Sequence, residues 1–127
     1  MGHVRTKITI ANPSDQTLES TSDALVDAGA TFTVIPANLA AQLQLQASET
    51  RRVRTATGDI TLDLTNAVVR IDGKSASNPV LVSKTIDRIL VGVITLESLS
   101  LTVDPTTGEL NEAEALLFRY FAERRSP

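Results

Sequence analysis

Residues 24–35 read Ala-Leu-Val-Asp-Ala-Gly-Ala-Thr-Phe-Thr-Val-Ile, an apolar run that delivers one aspartate, Asp27, into a tight turn at Gly29 before a second β-rich run leads away. Placing an ionisable side chain between two hydrophobic segments is costly unless its charge is shared, hydrogen-bonded or used. Farther along, another apolar run ends in glycine: Ile89, Leu90, Val91 and Gly92. Either stretch alone fits an ordinary turn. A chain carrying both must find room for two buried strands and for the polar element between them.

At 127 residues the chain has the length of one domain and can bury a sizeable core. Its formal net charge of −3 gives no basic footprint for nucleic acid. There is no cysteine, so disulfides, thiolate catalysis and cysteine-ligated metal are excluded. The one histidine, His3, lies near a terminus, and no metal site has persuasive spacing. Nor is there a glycine-rich phosphate loop or an apolar run of membrane-spanning length. The N-terminal residues lack an apolar signal core, which sets the expectation of a cytoplasmic protein.

Alternation of apolar and polar side chains predicts a strand from Val4 to Ile10, and Asn12 to Asp15 form a turn cluster. The polar residues Gln16 to Ser22 read as a loop or the outer half of a hairpin, with a strand from about Asp23 into Asp27. A short strand spans Thr31 to Ile35. Pro36 suits the first position of a helix running to Leu43. A period of two returns from Arg51 to Ile71, broken at Ala56-Thr57-Gly58-Asp59, which has the look of a hairpin tip. Arg51, Arg52 and Arg54 read as a solvated strand face. Asp72-Gly73 is a stronger turn signal, and Pro79 places the strand from Ala76 to Val82 at an edge or delays its start. Ile89 to Val91 form a buried strand, Val93 to Leu99 a helix, and Leu101 to Asp104 a strand ending in the Pro105–Gly108 turn.

The tail changes character. Asn111 and Glu114 resemble a capping pair, and Ala113, Leu116, Leu117, Tyr120 and Phe121 form a helical apolar stripe. Phe118, Tyr120 and Phe121 are three of only four aromatic residues, so this helix needs a surface to bury against. Residues 1–110 are therefore expected to form the domain proper, and 111–127 a C-terminal helical extension of it.

The order of these parts is an apolar-Asp-x-Gly-Ala turn, a hairpin, an apolar-apolar-Gly run and a short helix. It resembles the retropepsin-like aspartic proteases, the small bacterial single-domain members above all, over Val4 to Leu110. The resemblance implies a mostly-β, closed acid-protease domain with short helices. It also implies a homodimer in which Asp27 of each copy meets the other and together they activate water against a peptide bond, without a cofactor. It assigns Asp27 as catalytic and Ala28, Gly29 and Ala30 as the active-site loop. Thr55, Ala56, Thr57, Gly58 and Asp59 become the flap, and Leu90, Val91 and Gly92 the supporting apolar motif. A peptide or protein is the implied substrate, and the mostly apolar residues available to line a cleft add the expectation of a preference for hydrophobic side chains.

Three positions depart from the family pattern. A Thr or Ser usually follows the aspartate and grips the partner's loop; here Ala28 stands there. The chain is then either a weakened peptidase or an impaired dimer that binds extended peptides without cutting them. Viral members often carry an Asp and an Arg where this chain has Thr31 and Val93, and losing both leaves no orphaned charge.

Overall fold

A computed structural model of the chain describes residues 4–113. Strands dominate: β1 (Val4–Asn12), β2 (Asp15–Val26), β3 (Thr33–Pro36), β4 (Glu49–Thr55), β5 (Gly58–Ile71), β6 (Lys74–Ser83), β7 (Ile89–Val91), β8 (Leu101–Val103) and β9 (Leu110–Glu112). Two short helices, α1 (Ala37–Gln42) and α2 (Val93–Ser98), follow β3 and β7. No helix among the described residues is long and apolar enough to cross a membrane.

Seven strands form one sheet in the order β1-β2-β7-β3-β6-β5-β4, and β1 also pairs with β5 through Thr9–Arg70, Ile10–Val69 and Ala11–Val68. That second pairing closes the sheet on itself, as the mostly-β expectation required, and removes the edges β1 and β5 would otherwise expose. Alternate side chains then share one interior. Ile8, Ile10, Ile35, Val69, Val80 and Val91 are wholly buried there, and Ala40, Leu43, Leu96 and Leu99 from around the helices pack on the same core. β4 stands outside the closure at the end of the strand order. Among the described residues it pairs only with the first half of β5, Glu49–Leu64 to Thr55–Gly58, making a hairpin that projects from the ring.

The turns follow their chemistry. Asp72 and Gly73 both have positive φ, 52° and 78°, as the tight β5–β6 turn requires. Between β4 and β5 the loop is only Ala56 and Thr57, while the reversal falls on Gly58 at φ 132°. The expected hairpin tip of Ala56 to Asp59 is therefore shorter: Gly58 and Asp59 already belong to β5.

Several boundaries move. Of the two readings of Gln16 to Ser22, the outer half of a hairpin holds: the segment belongs to β2, which pairs antiparallel with β1 from Ser20–Ile10 to Ser22–Ile8. Both strands there can stay polar on the solvent side because only one face is covered. Pro36 is the helix N-cap in extended conformation, at φ −65° and ψ 146°, and ends β3 rather than starting α1. Pro79 lies within β6, but β3 joins that strand only from Val80, so the proline's free side is locally an edge. Asn111 does not cap a helix: it sits in β9 opposite Thr102, and its amide donates to Asp104 Oδ2 at 3.3 Å. The remainder of the expected tail helix lies outside the described residues.

Candidate active site

β2 and β7 are parallel neighbours, Ala24 beside Ile89, Leu25 beside Leu90 and Val26 beside Val91. This pairing brings together the two apolar runs that stand far apart in the sequence. Past its last rung the Asp27 N–H donates to the Val91 carbonyl at 2.9 Å, so the aspartate's backbone is fixed by the end of β7. The loop then turns on itself. Gly29 N–H donates to Asp27 Oδ1 at 2.9 Å, and Ala30 N–H to the Asp27 carbonyl at 3.0 Å. A hydrogen-bonded carboxylate held by its own loop has a defined direction.

The loop is tied to α2 as well. Val93 N–H donates to the Ala30 carbonyl at 2.8 Å and Ile94 N–H to that of Thr31 at 3.0 Å. Around Thr31 and Val93 the two segments are thus joined through main-chain hydrogen bonds. Between them Gly92 is buried so closely that a Cβ would lie 2.4 Å from the Phe32 carbonyl carbon and oxygen and 2.9 Å from the Ala30 oxygen. Its φ of −96° suits any residue. Glycine is required here for space.

Beneath the loop, Thr33 and Thr95 are both fully buried and share a hydrogen bond of 2.6 Å between their hydroxyls. The Gly92 N–H donates to Thr33 Oγ1 at 3.0 Å. These two threonines escaped the sequence reading. Polar residues 62 positions apart carry no local periodicity; the only available signal was a threonine interrupting each apolar stretch.

Asp27 itself is exposed in the single chain, as are Ala28 and Gly29. The sequence suggested an aspartate enclosed by its apolar flanks, but the strands deliver it beyond their ends, onto the surface. There it lines a cleft of about 400 Å³ together with Gly29, Ala30, Thr31, Phe32, Val34 and Leu81 on one side and Arg52, Val53 and Arg54 of β4 on the other. Leu90, Val91 and Gly92 lie underneath as supports, outside the cleft wall. Ala28 does not line it either. The projecting hairpin does face the aspartate, but through the strand Arg52–Arg54; Thr55, Ala56, Thr57, Gly58 and Asp59 lie beyond the cleft. Arg51, on the same strand, stacks its guanidinium over the Phe32 ring, 5.6 Å from its centroid, and bonds Glu49 at 2.6 Å.

Residues 19–98, from within β2 to the end of α2, match the family model described as gag-polyprotein putative aspartyl protease. The match spans more than half the chain and contains the Asp27 loop, the β4–β5 hairpin and Gly92. The chain belongs to the retropepsin-like aspartic protease family. No curated protein matches it. Membership carries aspartic proteolysis as the general activity, and the closed mostly-β ring is the architecture that the family resemblance implied. Among the described residues of this retropepsin-like chain, Asp27 is the only carboxylate lining the cleft.

Proposed function

We propose that the chain is one half of a homodimeric aspartic endopeptidase whose two Asp27 residues activate a water molecule between them. The observation that carries this reading is Asp27: fixed through its backbone and loop, presented on the surface, and with no second carboxylate among the described residues of its own cleft. Peptide hydrolysis by this route needs two. A second copy about a two-fold axis supplies the other and encloses both.

Two carboxylates held that close share one proton, because both cannot ionise readily. The charged one takes a proton from water as the water oxygen attacks the scissile carbonyl carbon. The protonated one gives its proton to the carbonyl oxygen. Collapse of the resulting diol breaks the C–N bond, and the leaving nitrogen takes a proton from the pair. The titration belongs to the pair rather than to either residue. The β4–β5 hairpin closes over the peptide as a flap, Gly29 offers its carbonyl to the peptide main chain, and Gly92 keeps the loop seated on α2.

Ala28 supports a second reading, a dimer that binds extended peptides without cutting them, because no hydroxyl at that position grips the partner's loop. Cleavage of casein across about pH 3 to 7, with Asp27→Asn beside the unaltered chain, decides between them. Products from the unaltered chain alone are expected. Equal cleavage by both removes Asp27 from the chemistry, and saturable peptide binding without products favours the second reading.

A further inference from the structure

Three consecutive residues of β4, Arg52, Val53 and Arg54, line the cleft. Consecutive strand residues point to opposite faces, so the cleft runs along the edge of β4 and not over one face. That edge is open: β4 ends the strand order, and its only partner among the described residues is β5. An extended peptide laid in the cleft can pair with this edge as a further strand, which sorts its side chains by the alternation of β4 itself.

The two faces of β4 differ. On one, Val53 and Thr55 are half-buried and Arg51 reaches down onto Phe32, so this face looks toward the apolar wall of Phe32, Val34 and Leu81. On the other, Arg52 and Arg54 are exposed. Arg51 is engaged by Glu49 and by the Phe32 ring, and Arg54 only loosely by Asp59, at 3.5 Å and largely in solvent. Arg52 makes no salt bridge among the described residues. Two cations two positions apart, separated by an apolar residue on the opposite face, complement one pattern in a paired strand.

We propose that the cleft selects extended peptides in which two acidic side chains flank an apolar one, the acids opposite Arg52 and Arg54 and the apolar residue opposite Val53. This rests on the peptide-substrate reading above and supplies its substrate class. Opposite charges facing across paired strands each add a modest increment, and two such pairs together correspond to about a fivefold preference at low salt.

The test separates selection from catalysis. Fluorophore-labelled peptides Gly-Thr-Glu-Leu-Glu-Thr-Gly and Gly-Thr-Gln-Leu-Gln-Thr-Gly are titrated against Asp27→Asn near neutral pH, and anisotropy gives their Kd values. The Glu peptide is expected to bind about fivefold more tightly, with the gap closing in high salt and in Arg52→Gln/Arg54→Gln. In Arg52→Glu/Arg54→Glu a Lys-Leu-Lys peptide takes over as the better ligand. Equal affinities, or no measurable binding of either peptide, overturn the proposal. In parallel, casein cut by the unaltered chain is mapped by mass spectrometry. Discrimination in binding without any cleavage overturns the peptidase reading and leaves the selection standing. Cleavage without acidic flanks does the reverse.

Discussion

Gly92 and Thr33, 59 positions apart, are joined by a hydrogen bond in which the Gly92 N–H donates to Thr33 Oγ1 at 3.0 Å. Thr33 is also bonded to Thr95, so one buried hydroxyl ties the strand after the Asp27 loop to both ends of the β7–α2 junction. Buried polar groups with partners stiffen a structure, and without partners they weaken it.

Thr33→Val should therefore cost about 2 kcal/mol, because it strands the Gly92 N–H and the Thr95 hydroxyl in an apolar interior. Thermal denaturation is expected to show a Tm lower by about 10 °C. Thr33→Ser, which keeps the oxygen, should recover most of it.

Gly92→Ala drives a methyl group into main-chain atoms of Phe32 and Ala30, which cannot rotate away. A loss of about 3 kcal/mol is expected in urea denaturation, with the Asp27 loop displaced. An unchanged midpoint would show that the loop yields more freely than its hydrogen bonds to Val93 and Ile94 suggest.

Ala28→Thr restores the hydroxyl that related chains place after the aspartate. Each restored bond contributes about 1 kcal/mol and would appear twice in the proposed homodimer, so its Kd should fall by roughly tenfold or more. Analytical ultracentrifugation measures it, and casein cleavage at matched concentration should rise with it. If neither changes, Ala28 is not the weak point of the assembly.

Asp104 accepts hydrogen bonds from the Thr106 N–H at 2.7 Å and the Thr107 N–H at 3.3 Å, and these hold its carboxyl below the usual carboxylate range. Its stabilising contribution is fully present above the ordinary aspartate pKa and disappears as the pH falls through the lowered one. Asp104→Asn should thus lower Tm at neutral pH and leave a flatter acid limb, with the two proteins converging at the lowest pH. Parallel acid limbs would refute that account.

What the sequence made legible was whatever local chemistry dictates. Asp72-Gly73 announced its turn because a positive φ at both residues suits few other pairs. Ile89 to Gly92 announced a buried strand because nothing polar interrupts it. Non-local facts stayed hidden. The sequence left Gln16 to Ser22 open between a loop and the outer half of a hairpin, and only β1 beside it decides for the hairpin; Asn111 lost its cap to a pairing with Thr102. The Asp27 loop was readable from its residues, whereas its exposure followed from where β2 and β7 end together. The hairpin was visible too, but its tip drew attention from the strand Arg52–Arg54 that meets the cleft.

The open edge of β4 has a consequence for the protein in bulk solution. An unpaired strand edge is a template on which copies of a chain can stack into aggregates. Two such edges meeting in register would crowd Arg51, Arg52 and Arg54 of each chain against their counterparts, and like charges repel across paired strands. The arginines thus guard the chain against polymerising through its own edge, and replacing them with neutral residues trades solubility for an exposed, self-adhesive strand.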